Sequence, residues 1–104
     1  VNCIAPGFVI TRLHDDTIKA GELAGQKFFE TTIKQIESGG VSPSVSAGAA
    51  VFLISDEAKG ITGKFVAAPY DGWASWPKHL EELQGTDIFT LRRIVPRDRG
   101  MDWQ

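Results

Sequence analysis

Apolar residues recur at i, i+4 and i+7 twice in the middle of the chain, at Phe29, Ile33 and Ile36 and again at Val45, Ala49 and Phe52. That spacing lines one face of a helix. The first stripe predicts an amphipathic helix over 22–38, with Glu30, Lys34 and Glu37 on its other faces and Gly39-Gly40 as its stop. The second predicts a helix that starts at Ser42-Pro43, an N-cap followed by proline at the first helical position, and runs to about Ser55. Ala47, Gly48 and Ala50 keep part of that helix small, which suits close packing on a sheet. Two short apolar runs flank the helices, one over 1–5 that meets Pro6-Gly7 and one over 64–68 that meets Pro69, and both read as strands. Shorter helices are expected from Asp15-Asp16-Thr17, within 14–21, and over 77–83, before the Gly85-Thr86-Asp87 break.

Strand, helices, strand in that order predicts an α/β arrangement in which the two strands are parallel neighbours or near neighbours. Ligands of open α/β sheets bind outside the carboxyl ends of the strands. The stretch Pro6-Gly7-Phe8-Val9-Ile10-Thr11, at the exit of the first strand, is therefore the first place to look for a site: a turn followed by backbone polar groups and one hydroxyl. Two strands do not complete a doubly wound sheet, so the remaining strands are expected elsewhere.

Composition narrows the classes. A chain of 104 residues, 42% hydrophobic and 23% charged, is at most one domain with enough apolar material for a core. A net charge of −2 gives no global attraction to nucleic acid or to anionic lipid. No run approaches a membrane span, and no basic, apolar leader opens the chain. Cys3, the single cysteine, lies in an apolar run and is expected to be a buried thiol in a reducing, cytoplasmic setting. Val1 opens the chain inside a strand-like run, from which the chain is expected to be the end of something longer.

Three segments in register carry a resemblance: Asn2-x-x-x-Pro6-Gly7-x-Val9-x-Thr11, then Ala50-Val51-Phe52-Leu53-Ile54-Ser55-Asp56-Glu57-Ala58, then Gly60-Ile61-Thr62-Gly63-Lys64. Over roughly residues 1–68 they resemble the C-terminal part of short-chain dehydrogenases/reductases. The resemblance implies the C-terminal portion of a Rossmann-type doubly wound parallel sheet over 1–68, with a C-terminal extension over 69–104. It implies an oxidoreductase that moves a hydride between NAD or NADP and a small carbonyl or alcohol substrate. It places Pro6 and Gly7 as the shapers of the turn beside the nicotinamide, Val9 as a source of backbone groups for the carboxamide, and Thr11 as a hydroxyl for the carboxamide or pyrophosphate. The segment 13–40 would be the substrate-side lid, and the whole protein is expected to be a homo-oligomer. The Arg-rich tail from Asp87 to Gly100 is similar to an extension found in one subgroup.

Two family motifs are missing. No Thr-Gly-x-x-x-Gly-x-Gly loop is present, because Gly21 and Gly25 are followed by Lys27 and no strand precedes them. No Tyr-x-x-x-Lys is present either, since Tyr70 is the only tyrosine and Ala74 stands four residues on. The acid/base apparatus would lie outside these residues, so no catalytic residue is assigned and the 104 residues alone are expected to be inactive.

Each feature also has a plainer reading. Thr11 can cap the segment that follows it. His14, Asp15 and Asp16 fit a solvated turn better than a metal site, and no metal ligand is assigned. Arg92, Arg93, Arg97 and Arg99 alternate with Asp98 and Asp102, so ion pairs are favoured over a phosphate or nucleic-acid clamp. Trp73 and Trp76 suit a subunit interface slightly better than a substrate pocket. The rival to an enzyme fragment is a non-catalytic module that covers its exposed sheet edge by self-association or by binding a partner.

Overall fold

Described over residues 1–103 by a computed structural model, the chain joins β1 (Cys3–Ala5) and β2 (Phe65–Ala67) as a parallel two-stranded sheet. The register pairs Cys3 with Phe65, Ile4 with Val66 and Ala5 with Ala67. Asn2 extends the pairing beyond the strands. Its side-chain amide donates to the Ile61 carbonyl and its oxygen accepts the Lys64 N–H, both at 3.0 Å. The mixture of helices with parallel strands agrees with the expected α/β class.

Between the strands lie α1 (Arg12–Ala20), α2 (Gln26–Glu37) and α3 (Pro43–Ile54). Helix α3 starts where the sequence places it: the Ser42 hydroxyl accepts the Ser44 N–H at 3.3 Å, and Pro43 occupies the first turn. Ala49 is fully buried, with Val45 and Phe52 half-buried on the same face. The predicted helix over 22–38 is instead divided. Residues Gly21–Ala24 form a 3-10 turn, Gly25 takes φ 94°, and α2 begins after it. A glycine tolerated in a helix also leaves one easily, and here the backbone uses that freedom to turn the chain. Helix α1 begins earlier than Asp15, because Thr11 already serves as its N-cap.

Past β2, a 3-10 stretch over Trp73–His79 leads into α4 (Leu80–Gly85). Pro77 lies within the 3-10 stretch, and the α-helix expected over 77–83 begins only at Leu80, since proline has no N–H for the ladder. Ala58, Ile61, Val66, Trp76 and Leu83 form the buried cluster, with Phe52, Leu53, Trp73 and Leu80 packed against it. Residues on both sides of position 68 thus share one core. Trp76, expected at an interface, is 4% exposed inside this cluster, and the half-buried Trp73 donates its indole N–H to the Ala68 carbonyl at 3.0 Å.

Cys3 corrects the sequence reading in the other direction: it is exposed. Successive strand residues face opposite ways: Ala5, on the same face as Cys3, is half-buried, so the exposure belongs to Cys3 at the start of the strand and not to the whole face. The molecule is spread out. Its radius of gyration is 17.9 Å, against about 13 Å for a compact chain of this length. Its accessible surface is 7844 Å², about 2,000 Å² above what a compact protein of 11.3 kDa exposes. Helix α1, the 3-10 turn and α2 pack mainly on one another, as an arm. Among the described residues no helix is long and apolar enough to cross a membrane.

Candidate functional site

Both strands end at the same edge of the sheet, β1 at Pro6 and β2 near Pro69, because the strands are parallel. The loop that leaves β1 makes a tight turn, in which the Val9 N–H donates to the Gly7 carbonyl at 3.1 Å, with Gly7 at φ 78°. A second bond fastens it from outside: the Val41 N–H donates to the Phe8 carbonyl at 2.6 Å. Gly40 makes that approach possible, since a Cβ there would stand 2.7 Å from the same oxygen. The loop is held between the end of β2 and the link from α2 to α3.

Pro6, Gly7, Val9 and Thr11 fall together on this loop, with Pro6, Gly7 and Thr11 exposed and Val9 half-buried. The Val9 N–H is spent on the turn. Its carbonyl accepts no hydrogen bond among the described residues. Thr11 does cap α1, though chiefly through its backbone: its carbonyl accepts the His14 N–H and its N–H donates to the His14 Nδ1, each at 3.0 Å. The Thr11 hydroxyl lies 3.4 Å from the same nitrogen, a long contact. An imidazole that accepts at Nδ1 carries its proton on Nε2 when neutral. The His14 ring also stacks on Phe8 with centroids 4.3 Å apart, so His14 braces the loop rather than decorating a solvated turn. Its one sequence signal is its place three residues after Thr11, the capping-box offset, with histidine where Glu or Gln is usual.

A second feature lies in the tail. Lys64, 5% exposed, donates its ammonium to the Ile88 carbonyl at 2.9 Å, and the Phe65 N–H donates to the Phe89 carbonyl at 2.6 Å. Phe89 takes φ 55°, an outlier for a bulky residue, and stacks on Trp76 with centroids 4.6 Å apart. Arg92 then joins Asp87 at 2.6 Å and Asp98 at 2.9 Å; of the expected ion pairs only Arg92 with Asp98 forms, and Arg93, Arg97, Arg99 and Asp102 enter none among the described residues. Hydrogen bonds from Arg92, and then its charge, hold the Asp87 carboxyl below its ordinary value. Asp98 is lowered first by the Val95 N–H and then by Arg92, while the two carboxylates raise the Arg92 guanidinium. In the strand-end loop Pro6, Gly7 and Thr11 are exposed. A groove of about 640 Å³ lies along this tail, lined in part by Arg93, Arg97 and Trp103.

No protein-family model, curated protein or solved structure matches this chain.

Proposed function

We propose that this chain is the nicotinamide-side portion of an NAD(P)-dependent short-chain dehydrogenase/reductase, built as the C-terminal part of a Rossmann-type sheet. The observation that carries the reading is the Pro6-Gly7 turn with Val9 and Thr11 at the carboxyl end of a parallel strand. The residues there fit the group. The Val9 carbonyl is an unengaged acceptor suited to a carboxamide N–H, and the exposed Thr11 hydroxyl stands at the N-terminus of α1, where backbone N–H groups favour an anionic oxygen. A bound nicotinamide would supply the hydride; Val9 and Thr11 would orient it. The arm of α1 and α2 would close over the substrate, a small carbonyl or alcohol. The proton-transfer groups and the phosphate loop would come from residues outside these 104.

The test is the natural gene product, captured with an antibody to the C-terminal peptide and weighed intact. A mass more than twice 11.3 kDa, with NADH or NADPH oxidation on a panel of ketones and aldehydes and a raised cofactor KM in Thr11→Val, is the expected result. A product of that larger size that binds neither cofactor would overturn the reading.

One observation favours a second reading, a non-catalytic self-associating module. Two copies would carry about 4,000 Å² of surplus surface, within the ~2,000–5,000 Å² in total that obligate homodimers bury. A natural product near 11.3 kDa that sediments as a dimer would establish it in place of the first.

A further inference from the structure

The tail builds a groove of its own, away from any use the strand-end loop makes of the chain. Arg92 closes the tail by holding Asp87 and Asp98 at once. The 3-10 turn Pro96–Arg99 then ends in Gly100 at φ 71°, which lets the Met101 N–H return to the Pro96 carbonyl at 3.0 Å. This curl leaves the groove of about 640 Å³, within the range of small-molecule sites. Arg93, Arg97 and Asp102 give it a polar side, and Val95, Met101 and Trp103 an apolar one.

Arg92 is occupied, and the next two arginines are not: among the described residues neither Arg93 nor Arg97 enters an ion pair. A guanidinium is a fixed fork of donors that matches a carboxylate or phosphate. Beside the two forks, Met101 at 52% and Trp103 at 65% exposure leave a polarisable surface open to solvent. Asp102 sets the size of the positive charge. With one carboxylate against two guanidiniums, the lining carries a single net positive charge, which suits one anionic group rather than a polyanion.

We propose that this groove binds an organic anion, a carboxylate or a phosphate ester on an apolar or aromatic body, with the anionic head between Arg93 and Arg97 and the body against Met101 and Trp103. The assignment stands on the tail alone and holds whether or not the strand-end loop takes a nicotinamide.

Calorimetric titration of the full natural chain with octanoate, phenyl phosphate, octanol, phenol and inorganic phosphate tests it. Octanoate, phenyl phosphate or both should bind saturably, and which of them does so tells carboxylate from phosphate ester. In Arg93→Ala/Arg97→Ala, a variant that removes exposed side chains with no internal ion pair, the Kd for the bound anion should rise about tenfold or more. Trp103→Ala should weaken the organic anions and leave inorganic phosphate unchanged, and Arg12→Ala, on α1, should change nothing. No binding by either organic anion overturns the proposal. So does unchanged affinity in the double arginine variant, equal binding of octanol or phenol, or inorganic phosphate binding as tightly as phenyl phosphate.

Discussion

A Cβ on Gly7 would stand 2.8 Å from Cγ of Pro69, so the turn that leaves β1 and the turn that leaves β2 touch with no space for a side chain between them. The candidate site is therefore a property of both strand ends. Moving either would move the loop that carries Val9 and Thr11.

Gly7→Ala meets two obstacles, the positive φ of 78° and the Pro69 ring, and is expected to cost about 1–3 kcal/mol. Gly63→Ala has a similar φ of 71° but nothing within 4 Å, so only the backbone term of about 1 kcal/mol remains. Urea denaturation of the two variants separates them; equal losses would show that the contact between the strand ends has no energetic weight.

Asn2 stands in for a missing rung of the ladder, satisfying the Ile61 carbonyl and the Lys64 N–H together. Asn2→Ala leaves both partly buried groups without that partner and should cost about 1–3 kcal/mol. Thr62→Ala, at an exposed position, should cost far less. Thermal melts of the two variants that coincide would contradict this role for Asn2.

Acid should open the tail. Asp87 and Asp98 are held below their ordinary values in the folded chain, so their contribution is fully present above a pH of about 4 and is lost as the pH falls through the lowered values. Carbon-13 titration of the two carboxyl groups reads this directly. In Arg92→Ala the Asp87 midpoint should return upward more than that of Asp98, whose first cause of lowering is the Val95 N–H. Equal returns would mean that Val95 contributes nothing. Salt should raise the wild-type midpoints, since both pairs face solvent.

Leu83, 2% exposed, joins α4 to the cluster formed by Ile61, Val66 and Trp76. Leu83→Ala is expected to cost about 2–5 kcal/mol, a large share of the stability of any single domain. A melt unchanged by that substitution would show that the segment after residue 68 is not part of the core.

Much of the site's outline was legible in the residues. Pro6-Gly7 after an apolar run predicts the turn, and Thr11 predicts both a hydroxyl and a cap; the structure brings Pro6, Gly7, Val9 and Thr11 onto one loop and makes Thr11 the N-cap. The bracing of that loop was not legible. Val41 and Gly40 reach the Phe8 carbonyl from the far side of α2, and nothing in the sequence near Phe8 points to them.

The sequence by itself determined what depends on neighbours along the chain: the start of α3 at Ser42-Pro43, its inward face of Val45, Ala49 and Phe52, the strand before Pro69, and the parallel pairing that helices between two strands impose. The tertiary structure decided what depends on which distant groups meet. It exposed Cys3, because burial of a strand residue needs a neighbour over that position, and the cover that half-buries Ala5 and Ala67 on the same face does not reach the start of the strand. It buried Trp76, because α4 and β2 converge on it. It drew Lys64 to Ile88 and Phe89 to Trp76, contacts whose partners lie too far apart in the chain for any local periodicity to encode.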